Sequence, residues 1–204
     1  MTTRLLLVRH GAVSYSGRVG GTDDRLNTLG ELQTQALARR LAERAIAAIY
    51  TSPLACAAQT AALLAGFLGT PVHEDQRLQE WDPGEWRGLH EREAQAQFPG
   101  ELRRAGPDPD FVIPGGESRE TFRERVTAAA DEMVFSHPGR EVVAVSHSGA
   151  LSTLIGYYLG LDVQTANGWP FTLDHCAITV VEYDGETAGI RTLNDAAHLE
   201  GLAL

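Results

Sequence analysis

Lysine is absent from the 204 residues, and all 17 basic side chains are arginine. That absence excludes a pyridoxal Schiff base, a Walker A nucleotide site and the phosphate clamp of a protein kinase, each of which needs a lysine amine. Cysteine is scarce as well. Cys56 and Cys176 form neither a Cys-x-x-Cys pair nor a disulfide framework, so reduced thiols in a cytoplasmic protein are expected. Long apolar runs are also lacking: residues 5–8 are too few for a signal-peptide core or a membrane span. A net charge of −10 argues against nucleic acid or an anionic membrane as partner. The remaining composition, 43% hydrophobic and 22% charged, is that of a soluble chain able to bury one substantial core.

What is present alternates between strand and helix signals. Residues 5–8 are a continuous apolar run ending at Arg9-His10-Gly11, the pattern of a buried parallel strand. Residues 28–44 keep a helical period through Leu29, Leu32, Leu37 and Leu41, with Thr28 and Glu31 as a capping box. Residues 46–50 read as strand, and Ser52-Pro53 as N-cap and first residue of an alanine-rich helix that stops at Gly69. Proline and glycine then punctuate residues 75–118 so densely that a small cap insertion is expected there, broken by a short helix near 89–97. A helix over 118–135 capped by Ser118, a strand over 141–146 and a helix over 150–159 follow. Strands at 177–183 and 188–193 flank an Asp184-Gly185 hairpin signal. The expected architecture is a single α/β domain over residues 1–204, a three-layer sandwich whose mostly parallel central sheet is flanked by helices.

Two of the apolar strands end in histidine. In a parallel-rich sheet His10 and His147 would stand side by side above the carboxyl edge, where open α/β sheets bind ligands. Gly11 and Ser148-Gly149 follow them and let backbone N–H groups approach a ligand closely, while Arg9 adds a fork of donors suited to phosphate or carboxylate. These residues describe an anion site with two imidazoles. His73, His90, His137, His175 and His198 show no metal-ligand spacing, so they are expected in loops or at the surface, and neither a metal nor a cofactor is expected.

Leu7-Val8-Arg9-His10-Gly11 resembles the signature of the histidine phosphatase superfamily, in its phosphoglycerate-mutase-like branch. Further blocks are similar in order and spacing: Leu26-Asn27-Thr28-Leu29-Gly30 with Gln33, Thr51-Ser52-Pro53-Leu54 with Gln59-Thr60-Ala61, and Leu78-Gln79-Glu80 with Gly84, Trp86 and Gly88. Pro114-Gly115-Gly116-Glu117-Ser118 and Val145-Ser146-His147-Ser148-Gly149 complete the set. The resemblance implies a phosphomonoester hydrolase acting on a small anionic metabolite. In it His10 is the nucleophile that carries a phosphohistidine, Arg9 and His147 cradle the transferring group, and Glu80 is the general acid and base. It places Gly11, Ser16, Arg18, Asn27, Cys56 and Ser148 about the substrate. A homodimer remains open. The modest insertion and the missing lysine favour phosphatase over mutase.

One position departs from the family pattern. The third block normally carries a phosphate-binding arginine where this chain has Cys56, and a thiol cannot replace a bidentate, permanently charged ligand. Ala12 and Ser16 are lesser departures beside the nucleophile. Three explanations stand side by side. Another arginine enters the pocket, with Arg18 preferred over Arg87; or the phosphatase is slow or specialised; or the pocket serves another anion through acid–base chemistry on the same scaffold. A non-catalytic anion-binding domain is the reading from a different class.

Overall fold

The computed structural model describes residues 1–14, 17–20, 24–100, 111–161 and 171–202. Ser16 and Trp169 lie outside these described residues. Strands β1 (Thr3–Arg9), β2 (Ile46–Thr51), β3 (Val72–Glu74), β4 (Glu141–Ser146), β5 (Ile178–Tyr183) and β6 (Ala188–Asp195) form one sheet in the order β3-β2-β4-β1-β5-β6. The pairs among β3, β2, β4 and β1 are parallel, while β5 and β6 close the sheet antiparallel.

Side chains alternate across a strand, so the apolar runs of β1 and β4 feed two cores at once. Leu6, Val8, Val143 and Val145 pack against Leu37 and Leu41 of α1 (Thr28–Leu41) and Ala57, Ala61 and Leu64 of α2 (Ala55–Leu68). On the other face Leu5, Leu7, Val142 and Ala144 meet helices that lie beyond the short α3 (Glu91–Gln97). These are α4 (Arg119–Ser136), through Phe122, Val126 and Met133, and α5 (Ser148–Tyr158), through Leu151 and Leu154. Each fully buried leucine contributes about 2–3 kcal/mol of apolar transfer, which fixes strand register because a one-residue slip would exchange the two faces. A smaller cluster of Trp86, Ala94, Phe111 and Ile113 packs separately within the stretch after β3, which makes Trp86 a core residue.

The connections place the site. After β1 the chain leaves to α1 on one face, whereas after the adjacent β4 it leaves to α5 on the other. Neighbouring parallel strands whose connections diverge open a crevice at their carboxyl ends, the usual ligand position in such sheets. Register pairs Arg9 with Ser146, so His10 and His147 come next, together, at that crevice.

Several element ends differ from the sequence pattern for identifiable reasons. The N-cap of α1 is Asn27, whose side chain accepts from the Gly30 N–H, in place of the Thr28–Glu31 box. Helix α2 begins at Ala55 with Leu54 as N-cap, because the Ser52 hydroxyl is engaged elsewhere, by His147. Strand β3 carries no alternating pattern because its three residues form an exposed edge. Ser118 caps α4 and Gly69 ends α2 in the left-handed region (φ 66°), both as the sequence predicts. Among the described residues no helix is long and apolar enough to cross a membrane.

Candidate active site

The loop that follows β1 is fixed by residues from both neighbouring helices. The Gly11 N–H donates to Thr60 Oγ1 (3.1 Å), the Ala12 N–H to Gln33 Oε1 (2.9 Å), the Leu26 N–H to Gln59 Oε1 (2.9 Å) and the Asn27 N–H to the Ala12 carbonyl (3.0 Å). A Cβ on Gly11 would sit 2.6 Å from the Gly30 carbonyl oxygen, so only glycine permits this contact of loop and helix. Gly11 and Asn27, expected at the substrate, are instead a packing contact and a helix cap, outside the cavity wall.

His10 and His147 are buried with ring centroids 5.2 Å apart. His10 Nδ1 lies 2.8 Å from the Gly11 carbonyl oxygen, which can only accept, so Nδ1 carries the proton and Nε2 keeps its lone pair. Burial, reinforced by His175 and Arg9, lowers the His10 pKa to about 4, and the imidazole is neutral at pH 7. Burial likewise holds His147 well below the usual histidine range, with Nε2 2.8 Å from Ser52 Oγ.

His175, expected in a loop or at the surface, belongs to the site. Its Nδ1–H donates to the His10 carbonyl (2.8 Å), its ring lies 5.2 Å from that of His10, and it lines the cavity. No local spacing announces it. A positive φ at Cys176 (59°) turns the chain here, and the Cys176 N–H donates to the Arg9 carbonyl (2.8 Å). Arg9 donates through one terminal nitrogen to the Leu173 carbonyl (2.6 Å), while its buried Nε has no hydrogen-bond partner.

Glu80 approaches from the segment after β3. One carboxylate oxygen accepts from the Trp81 N–H (2.9 Å) and the other from the Gly149 N–H (2.8 Å), so Glu80 caps the start of α5. Removal from water raises its pKa against the pull of those amides and of Arg125. Arg125, which the sequence did not single out, holds the segment. It donates to the carbonyls of Arg77, Gln79 and Glu80 (2.7–3.0 Å) and pairs with Glu117. The buried Ser146 hydroxyl donates to the Leu78 carbonyl (2.7 Å), tying the same segment to β4.

These groups face a cavity of about 270 Å³ whose wall includes Arg9, His10, Asp24, Cys56, Glu80, Trp81, Arg87, His147, Ser148 and His175. Arg18, preferred as the replacement cation, is not in the wall and donates to the Gly88 carbonyl; Arg87 is in the wall and pairs with Asp82 (2.5 Å). Cys56 sits in the first turn of α2, and burial pushes its thiol up to about 11, so it is uncharged at pH 7. The described wall thus offers two guanidiniums, neutral imidazoles and two carboxyl groups, Asp24 and Glu80.

Residues 5–196 match the family model of the histidine phosphatase superfamily (branch 1). The chain is 35% identical over 205 residues to the bifunctional protein Rv2228c of Mycobacterium tuberculosis, a match covering 97% of this chain and 55% of that protein. It therefore spans about half the length of that relative. It is 30% identical over 200 residues to phosphoserine phosphatase 1 of Hydrogenobacter thermophilus, covering 96% and 94% of the two chains. Among solved structures it resembles the mycobacterial glucosyl-3-phosphoglycerate phosphatase Rv2419c, with TM-score 0.83, 29% identity and coverage of 96% of this chain and 100% of that one.

Proposed function

This chain belongs to the histidine phosphatase superfamily, and from that premise we propose that it hydrolyses small phosphomonoesters through a phosphohistidine on His10. The observation that carries the proposal is the Nδ1–H bond of His10 to the Gly11 carbonyl, which leaves the lone pair on Nε2 of an imidazole that lines the cavity.

The steps follow from the wall residues. Nε2 attacks phosphorus and the bond to the ester oxygen breaks, with Glu80, as the carboxylic acid, giving its proton to the departing alkoxide. The resulting carboxylate then takes a proton from water, whose oxygen attacks phosphorus and displaces Nε2, releasing phosphate and restoring neutral His10. Arg9 and the second imidazole, His147, offer donors to the equatorial oxygens, His147 as the Nδ1–H tautomer whose Nε2 accepts from the Ser52 hydroxyl; most of the stabilisation of a phosphoryl transition state arises there. Arg87 stands at the mouth for a second anionic group of the substrate. In this proposal residues 75–100 and 111–118 supply the cap over the site, and Trp81 the apolar side of the leaving-group pocket.

A panel of phosphomonoesters, phosphoserine included, tests this with wild type and His10→Ala. Turnover by wild type well above the His10→Ala background is expected, and equal rates would sink the proposal. Cys56 favours a second reading, acid–base chemistry on a non-phosphorylated anion, because it leaves an uncharged wall where the resemblance calls for a guanidinium. Cys56→Arg separates the two. A gain of ~10²–10³ in phosphatase rate, the usual worth of one such donor, would show a pocket that has drifted from phosphoryl transfer.

A further inference from the structure

Cys56 has no part in the phosphoryl chemistry, yet its sulfur belongs to a cluster. Cys56 Sγ, one ring nitrogen of His10 and one of His147 all lie within 4.8 Å of one another, and all three residues are buried. They arrive from three separate places: the end of β1, the first turn of α2 and the end of β4.

A tetrahedral zinc ion with bonds of ~2.0–2.1 Å to nitrogen and ~2.3 Å to sulfur holds its ligand atoms about 3.3–3.6 Å apart. The cluster therefore needs a contraction of at most about 1.2–1.5 Å, to be met by a turn at the Cys56 side chain and a tilt of the rings. Both imidazoles are supported on one side, as metal-binding histidines usually are. His10 Nδ1–H is held by the Gly11 carbonyl, and His147 Nε2 lies 2.8 Å from Ser52 Oγ, which accepts from the Leu54 N–H (3.3 Å); the tautomer in which Nε2–H donates to Ser52 frees the Nδ1 lone pair for a metal. Asp24 and Glu80 line the same cavity and set carboxyl groups against the guanidiniums of Arg9 and Arg87 in its wall.

We propose that His10, Cys56 and His147 bind one borderline-soft divalent cation, zinc above all, leaving a fourth position open to the cavity. Two imidazoles and a thiolate select zinc or cobalt over the hard cations magnesium and calcium, which prefer oxygen. Cys56 binds as the thiolate, its proton passing to solvent. Because His10 Nε2 cannot ligate a metal and attack phosphorus at once, the metal-bound and phosphoryl-transfer states exclude each other. The site stands whether or not the chain is a phosphatase.

The test is titration of chelator-stripped protein with Co²⁺, followed by absorption, and with Zn²⁺ against a chromophoric chelator. Expected are one ion per chain, a thiolate-to-cobalt charge-transfer band in the near ultraviolet and a zinc Kd of micromolar or tighter. Cys56→Ser should lose the band and weaken zinc at least tenfold, His147→Ala should weaken it similarly, and Cys176→Ala should retain both properties, since that thiol is buried against Thr34. Circular dichroism of the metal-free variants checks their fold. Wild type without a charge-transfer band, a band that survives in Cys56→Ser, or no zinc uptake at millimolar concentration overturns the proposal. A cobalt band in a protein whose metal-free form shows no phosphatase turnover would leave the metal site standing and sink the phosphatase proposal instead.

Discussion

Glu80 is the residue at which position and proton affinity meet. Its carboxyl group accepts from two backbone amides while burial raises its pKa, so the proton that a leaving alkoxide needs is retained further toward neutral pH than for a free glutamate. For an active phosphatase kcat/KM should fall as pH rises through that elevated pKa. Glu80→Gln should lower kcat/KM by ~10²–10⁴ on alkyl phosphates, abolish this alkaline limb and reduce kcat/KM on aryl phosphates far less, because a phenolate leaves without a proton. Equal losses on both ester types would remove Glu80 from the acid role. The sequence pointed to Glu80, His10, His147 and Arg9 through motif blocks, and the cavity wall brings all four together. It preferred Arg18 as the second cation, whereas that side chain donates to the Gly88 carbonyl, a partner that no sequence pattern encodes.

At the scale of elements, the site is a junction held by hydrogen bonds that the motif residues supply. Thr60, Gln33 and Gln59 secure the loop after β1, and Arg125 of α4 gathers three carbonyls of the segment bearing Glu80. Arg125→Met keeps the aliphatic stem but leaves those carbonyls without this donor and Glu117 with only the Asp82 N–H. The pair is half-buried, so the loss should cost about 1–3 kcal/mol, and where the fold survives it should lower kcat more than it raises KM. Urea denaturation and steady-state kinetics measure the two effects; an unchanged kcat would make Arg125 purely structural. Glycine at 149 serves the same junction, since a Cβ there would collide with the Glu80 carboxylate. Gly149→Ala should therefore displace Glu80 and reduce kcat, with little change in the denaturation midpoint. Strand and helix periods were legible because two cores impose them. Cap positions and β3 were not, since Ser52 serves His147 and an exposed edge strand needs no apolar alternation.

Across the whole molecule, keeping neutral imidazoles in a dry crevice couples function to acid stability. The His10 pKa falls from its usual 6.5 to about 4 on folding, so between these values the unfolded chain binds a proton that the folded one does not. Stability from this group is complete above pH 6.5 and is lost as pH falls toward 4, a change of roughly 3 kcal/mol. The raised pKa of Glu80 acts in the opposite sense over an overlapping range. Comparison with a variant isolates the histidine: the unfolding free energy of His10→Gln should change less steeply with acidification, and wild type should lose roughly 3 kcal/mol relative to it between pH 7 and pH 4. A constant difference would mean that His10 is not held neutral. The layered architecture was legible in the alternation of strands and helices. The convergence of His175 on His10 was not, because it depends on which strands become neighbours and on the turn before β5.

The most direct measurement is rapid quenching of the enzyme with a turned-over phosphomonoester, followed by mass spectrometry of the phosphoenzyme under alkaline conditions that preserve phosphohistidine. One acid-labile phosphoryl group on the peptide containing His10 is expected, absent in His10→Ala and accumulating to higher occupancy in Glu80→Gln with an aryl phosphate, where hydrolysis of the intermediate is slowed. Turnover without any labelled His10, or with the phosphoryl group on another residue, would contradict the phosphohistidine route.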